Sequence, residues 1–169
     1  MNSRVRQIRG VQKRALKYYE HVNGYIPKTG STDGVLQMAG SLSQLIDAEV
    51  RHVALLYLGL RDTMTRLFVE CLCALAGSVI KDSGEYISMP RNHDGICEVL
   101  CHRVFAPRNK KYDDSFSCAG AVGVVIRLMD HVNRLRHNGD QMSIAHIANY
   151  VVMAMALIEE AEEDFLECF

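Results

Sequence analysis

Along most of this chain, apolar side chains return every third or fourth residue, the spacing of one buried helix face, while runs that alternate apolar with polar are scarce. The pattern predicts an all-α protein, a bundle of about five or six helices. Val5, Ile8, Gln12, Ala15, Leu16 and Tyr19 mark a first helix from about Ser3 to Val22. Asn23 to Gly34, rich in Gly, Pro, Ser and Asn, reads as a connector with freedom to move. A second helix is expected over Val35 to Leu45 and a long core element over Asp47 to Ile80. The apolar face of that element includes Val50, Val53, Leu60, Met64, Leu67, Phe68, Leu72 and Leu75, and Gly59 is a place to bend. Lys81 to Asp94 reads as a loop. Gly95 to Phe105 reads as a short helix ended at Ala106-Pro107, because a proline disfavours helical geometry in the residue before it. Ser117 to Gly123 is read as a small-residue turn. A helix over Val124 to Arg136, a turn at His137 to Asp140, and a last helix capped by Ser143 and running to about Phe165 complete the expectation. The chain divides at residue 94 into an N-terminal helical region and a C-terminal one, 95–169, read together as one compact unit.

Charge adds an asymmetry. Arg4, Arg6, Arg9, Lys13, Arg14, Lys17 and Lys28 face only Glu20 in the first stretch, whereas Glu159, Glu160, Glu162, Glu163, Asp164 and Glu167 crowd the other end without a base. A basic arm for nucleic acid is one interpretation. The simpler one makes Arg4, Arg6, Arg9, Lys13 and Lys17 the solvated face of the first helix, lying near the acidic last helix in the same subunit or a partner. The six cysteines form no CxxC pair and come without a secretion signal, so they read as reduced, buried thiols in a soluble cytoplasmic protein. Cys97 and Cys101, one turn apart, have only a minor claim to a metal shared with His93 or His102.

Chemistry concentrates after residue 110. Arg127, Asp130 and Arg134 share one face of their helix, and His146, Asn149, Tyr150 and Met153 share one face of the next. Two polar stripes joined by a short turn can meet across a cleft. There a guanidinium offers a fixed fork of donors to phosphate, an amide reads a base or sugar edge, and Tyr150 or Phe116 stacks on a base. The alternative is structural: Asp130 and Arg134 are also spaced as an ordinary surface ion pair.

The residues Lys111-Tyr112-Asp113-Asp114-Ser115-Phe116, Ile126 to Leu135 and Met142 to Tyr150 resemble, in that order, the small all-helical nucleotide-modification-associated domain of bacteriophages. That domain is a relative of the MazG-like nucleotide pyrophosphohydrolases. The resemblance covers roughly Glu98 to Ile158. It keeps Tyr112, Asp114, Ser115 and the aromatic Phe116 of the family's loop, with Asp113 in place of Gly, and Arg127, Asp130 and Arg134 of its Ile-Arg-x-x-Asp-Lys-x-x-Arg-Leu helix, with His131 in place of Lys. Asn149 and Tyr150 match the closing Ala-Asn-Tyr, but the family's two acids fall on Met142 and His146. The resemblance therefore implies a MazG-like core in the C-terminal half that binds a nucleotide, linear or cyclic, at Lys111, Tyr112, Asp114, Phe116, Arg127, Asp130, Arg134, His146, Asn149 and Tyr150.

MazG-like enzymes hold Mg²⁺ on paired-helix carboxylates, and here only Asp130, Asp114 and Glu98 remain as candidates. The expectation is a nucleotide binder that has lost its metal site, with no cofactor and no catalysis. The family's phage associations point to sequestration of the nucleotide second messengers of bacterial anti-phage defence, in the host cytoplasm. The alternatives are a Mg²⁺-dependent pyrophosphohydrolase or nucleotide-modification enzyme, and a protein-binding inhibitor of a host factor. Membrane and nucleic-acid partners are not expected. Assembly into a homo-oligomer is expected from the bundle-like family.

Overall fold

The computed structural model of the protein describes residues 2–49 and 56–167. Among them six helices form the body, counting one continuous run over 93–111 as a single helix, and the all-α expectation holds with one small addition. Helix α1 (Ser3–Asn23) begins where the Asn2 side chain accepts from the Arg4 N–H. It ends at Gly24, whose left-handed φ of 80° closes the last turn onto Glu20. Helix α2 (Thr32–Glu49) is longer than its sequence pattern, and α3 covers Leu56–Leu75. Val50 and Val53, expected on the apolar face of one long element, lie outside the described residues.

The connector between α1 and α2 is tied down. The Gly30 N–H donates to the Cys73 carbonyl at 3.1 Å, and a side chain at position 30 would run into the α3 backbone. The Cys73 thiol and the His93 Nε2 both meet the Pro27 carbonyl.

The segment read as a loop after Lys81 instead holds an antiparallel hairpin, β1 (Val79–Asp82) with β2 (Glu85–Ser88). Ser83 and Gly84 turn it with φ of 51° and 86°, the double left-handed geometry that suits a two-residue hairpin loop. Each strand has four residues, and only the cross-strand pair Ile80 and Ile87 is buried, too short a pattern to register as alternation.

Asn92 caps α4 (His93–Val99), accepting from the Gly95 N–H. The helix does not stop at Pro107 as expected. It widens into π-helical turns over Leu100–Phe105, where the Ala106 N–H reaches back to the Cys101 carbonyl, and continues as α5 (Ala106–Lys111). A proline inside a regular helix lacks a donor and strikes the carbonyl one turn earlier. The widened turn puts Pro107 at the start of α5, where both costs are small.

Asp113 and Asp114 follow with left-handed φ of 51° and 58°, then a tight 3₁₀ stretch (Ser115–Ala119) in place of the expected open turn. Helix α6 (Gly120–Asn138) runs back, and Asp140, not Ser143, caps α7 (Gln141–Glu167) by accepting from the Met142 N–H. Ser143 is buried inside the first turn.

Helix α7 is the axis of the fold, packed by α6, α3 and α1. Ile144, Ala145, Ile147, Ala148, Val151 and Val152 are fully buried on it. By length and composition 141–163 is apolar enough to cross a membrane, yet its apolar window is 78% buried in the fold, as a core helix must be. One hydrophobic core joins Val5 and Ile8 of α1 to Leu128 of α6 and Leu157 of α7, across the division at residue 94.

The α1 charges split into two kinds. Arg6, Lys13 and Lys17 are exposed as expected. Arg4 and Arg9 are not: their side chains are only 15% and 11% exposed, and both are paired. Arg4 binds Asp114 and Glu160, Arg14 binds Glu159, and Arg9 binds Asp94 and, through Gln12, reaches the Cys97 carbonyl. Through Arg4 and Arg14 the basic first helix lies on the acidic last helix within one chain.

Candidate ligand cavity

The α7 stripe lines a cavity, joined from the α6 stripe by Arg127 alone. Between α6, α7 and the run from the π-helical turns into α5 lies a cavity of about 510 Å³, within the usual range of roughly 300–1,000 Å³ for ligand clefts. Helix α7 contributes His146, Asn149, Tyr150 and Met153, the full predicted stripe, and α6 contributes Val124, Arg127 and His131. Phe105, Arg108 and Asn109 come from the widened helix, and Tyr112, Ser115 and Phe116 from the strained segment that follows it. That segment is held from outside: Arg4 grips the Asp114 carboxylate through Nε and Nη2 and lies over the Phe116 ring, 5.1 Å from its centre. Phe116 in turn meets Phe105 edge-on.

Two arginines enter the cavity on different terms. Arg108 is oriented by a two-pronged bond to Asp82 of the hairpin, at 3.0 and 2.6 Å, and by the Val104 carbonyl. The Arg108 hydrogen bond in turn holds the Asp82 carboxyl below its ordinary pKa. Arg127 is exposed and has no ion pair or hydrogen bond among the described residues, so its charge is available to an anion.

The rings form a stack. His131 lies 4.5 Å from His146 and 5.3 Å from Tyr150, at interplanar angles of 27° and 23°. Burial, with Arg134 second, lowers His131 to about 4. Burial, with its neighbour His131 second, lowers His146 to about 3. Both imidazoles are neutral at pH 7 and stack as uncharged rings beside the cavity.

Among the described residues, the buried side-chain polar atoms without a hydrogen-bond partner are Asn109 Oδ1, His131 Nδ1 and Asn149 Oδ1. All three belong to residues lining this cavity. Native interiors leave few such atoms, since each costs about 1–3 kcal/mol, and their grouping around one cavity makes it the candidate site. The Asn149 amide is set by its other end, where Nδ2 donates to the Leu100 carbonyl at 3.2 Å. Leu100 opens the π-helical turns, a distortion common at functional sites.

Of the predicted ligand residues, Tyr112, Phe116, Arg127, His146, Asn149 and Tyr150 line the cavity. Lys111 is exposed beside it, over the Tyr112 ring. Asp130 and Arg134 sit on the exposed face of α6 and do not line it. Asp114 braces the segment through Arg4 instead of entering. Arg108, Asn109 and His131 escaped the sequence reading. The first two follow the proline taken as a helix end, and His131 was read only as a replaced lysine.

The three candidate metal acids do not converge. Glu98 is 63% exposed near Arg9, Asp114 is held by Arg4, and Asp130 is exposed on α6. No group of three or more His, Cys, Asp or Glu side chains assembles among the described residues, the Cys97, Cys101, His93 and His102 set included. Burial pushes the Cys97 thiol up to about 12 and that of Cys101 to about 11, so both stay protonated. Cys71, Cys73, Cys97 and Cys101 are buried and free, Cys118 is exposed, and Cys168 lies outside the described residues.

No protein family, curated protein or solved structure matches the chain.

Proposed function

We propose that the protein binds a nucleotide in the α6–α7 cavity and holds it without cleaving it. The observation that carries this reading is the meeting, in one cavity, of an uncompensated guanidinium, a stack of neutral rings and unpartnered amide oxygens. A nucleotide is the common metabolite with a matching set of parts: an anion for Arg127, a flat π-face for the aromatic side chains, and polar base edges for the asparagines.

The donor set argues for holding over turnover. Magnesium seeks hard oxygen ligands, above all carboxylates. The cavity offers imidazoles, amides, phenols and guanidinium groups, and Asp82 beside it is committed to Arg108. A chain of this kind in an infected cell would sequester a signalling nucleotide, the role drawn from the phage-type resemblance.

The test is recovery. The protein is incubated with linear and cyclic nucleotides, with and without Mg²⁺ and Mn²⁺, then denatured, and the released species are identified by mass spectrometry. Depletion of a nucleotide from solution followed by its intact return supports the proposal. Monophosphate and pyrophosphate appearing only with metal would instead make the protein a pyrophosphohydrolase.

A further inference from the structure

Hydrogen-bond polarity divides the cavity. Asn149 is 5% exposed and Asn109 7% exposed, so neither amide can count on bulk water. The orientation of Asn149 is not free, because only its NH₂ can donate to the Leu100 carbonyl; turning the amide over would set oxygen against oxygen. What Asn149 has left is an acceptor, whereas the Asn109 amide, with no side-chain hydrogen bond among the described residues, can turn either its oxygen or its NH₂ toward a ligand. A phosphate brings only acceptors at neutral pH and cannot satisfy Asn149. Phosphate therefore belongs at Arg127, and the asparagine end needs a group that donates.

Resting on the nucleotide reading above, we propose that the cavity selects a nucleobase bearing an exocyclic amino group, held by the Asn149 carbonyl with Asn109 in support, while Arg127 takes the phosphate. An amino group has hydrogens to give and meets the Asn149 oxygen with the right sign. A base with an oxo group in that place, such as hypoxanthine or uracil, brings a further acceptor toward it. Sites built to pair a buried polar group discriminate strongly against ligands that leave it unpaired.

The experiment is calorimetric titration of the whole protein with GMP, AMP, IMP, CMP and UMP, a set in which IMP lacks the amino group of GMP or AMP and UMP lacks that of CMP. The tightest ligand is expected to carry an amino group, and its amino-less counterpart to bind at least about tenfold more weakly, the lower part of what one unpaired buried group costs. Asn149→Leu should reduce that ratio to near one. If that variant fails to fold, Asn109→Leu provides a second route and should shrink the ratio, and the wild-type panel stands without either. IMP or UMP binding as tightly as the best amino-bearing ligand overturns base selection while leaving nucleotide binding intact. Binding of none of the five, together with failure of every nucleotide in the recovery test, overturns both.

Discussion

The two halves of α7 treat polar side chains in opposite ways. Near its start, Asn149 Oδ1 is buried without a partner, and His146 is packed as a neutral ring. Two to three turns later, Glu159 meets Arg14 and Arg61, and Glu160 meets Arg4 and Gln7. Glu159 and Glu160 are satisfied within the chain and serve the fold. The polar groups in the first half are costly until something else satisfies them, and that cost is what a ligand removes. The difference lies in pairing, since both halves pack on the same core.

The strongest way to sharpen this contrast is to disturb the shared core inside the first half. Ile147 is fully buried between His146 and Ala148. Ile147→Ala should lower unfolding stability by about 2–5 kcal/mol, as methylene removal from a packed core does, read by urea denaturation. Its effect on ligand affinity should be no more than the loss of folded protein explains. A large stability loss with a separate collapse of affinity would blur the line between fold and site.

Arg127→Ala reverses the pattern. Its side chain is exposed and unpaired among the described residues, so the melting temperature of the free protein should hardly move. Affinity for a phosphate-bearing ligand should fall roughly 10- to 100-fold, the worth of a charge-assisted hydrogen bond, measured by calorimetry. A melting point that drops with the affinity would place Arg127 among the structural charges.

Arg4 stands on the other side of the comparison. It joins the cavity segment at Asp114 to the acidic half of α7 at Glu160. Arg4→Ala should cost about 1–3 kcal/mol, because it leaves two partly buried carboxylates short of a partner and frees the left-handed turn at Asp113 and Asp114. A double-mutant cycle with Glu160→Gln should show coupling, and an additive result would make the pair incidental.

How much of this was legible in the sequence follows from the range of the forces involved. Helix faces were readable because a 3.6-residue repeat is local, and the stripe His146, Asn149, Tyr150 and Met153 enters the cavity as its spacing said. Arg108 was not readable. Its role depends on Asp82, a hairpin residue with a short pattern, and on a π-helical widening that lets the helix pass Pro107. The same blindness made Arg4 look solvated and Asp114 look like a ligand: the partner of each is remote in sequence. Distant pairing decides whether a charge serves fold or site, and periodicity carries no information about it.

The imidazole stack gives the comparison a pH axis. An unfolded histidine titrates near 6.5, whereas burial holds His131 at about 4 and His146 at about 3 in the fold. Between those values the unfolded chain binds more protons than the folded one. Stability is therefore retained above about pH 6.5 and falls as the pH drops from there toward 4. Melting temperatures at pH 7.5, 5.5 and 4.5 should decline in that order, and His146→Gln should flatten part of the decline. An unchanged slope in that variant would assign the acid sensitivity to other groups, the Asp82–Arg108 pair among them.

The smallest effect is expected from Lys13, on the helix that also carries Arg4. Lys13 is exposed and has no ion pair among the described residues, one of the charges that matched the simple amphipathic reading. Lys13→Ala should change stability by less than about 0.5 kcal/mol and ligand affinity not at all. Comparing it with Arg4→Ala isolates partnership from charge, since both remove one cation from the same helix. If Lys13→Ala weakened nucleotide binding as much as Arg127→Ala, long-range attraction by the basic helix would be steering the ligand. That effect would shrink with added salt, whereas the loss from a direct guanidinium contact inside the cavity would persist.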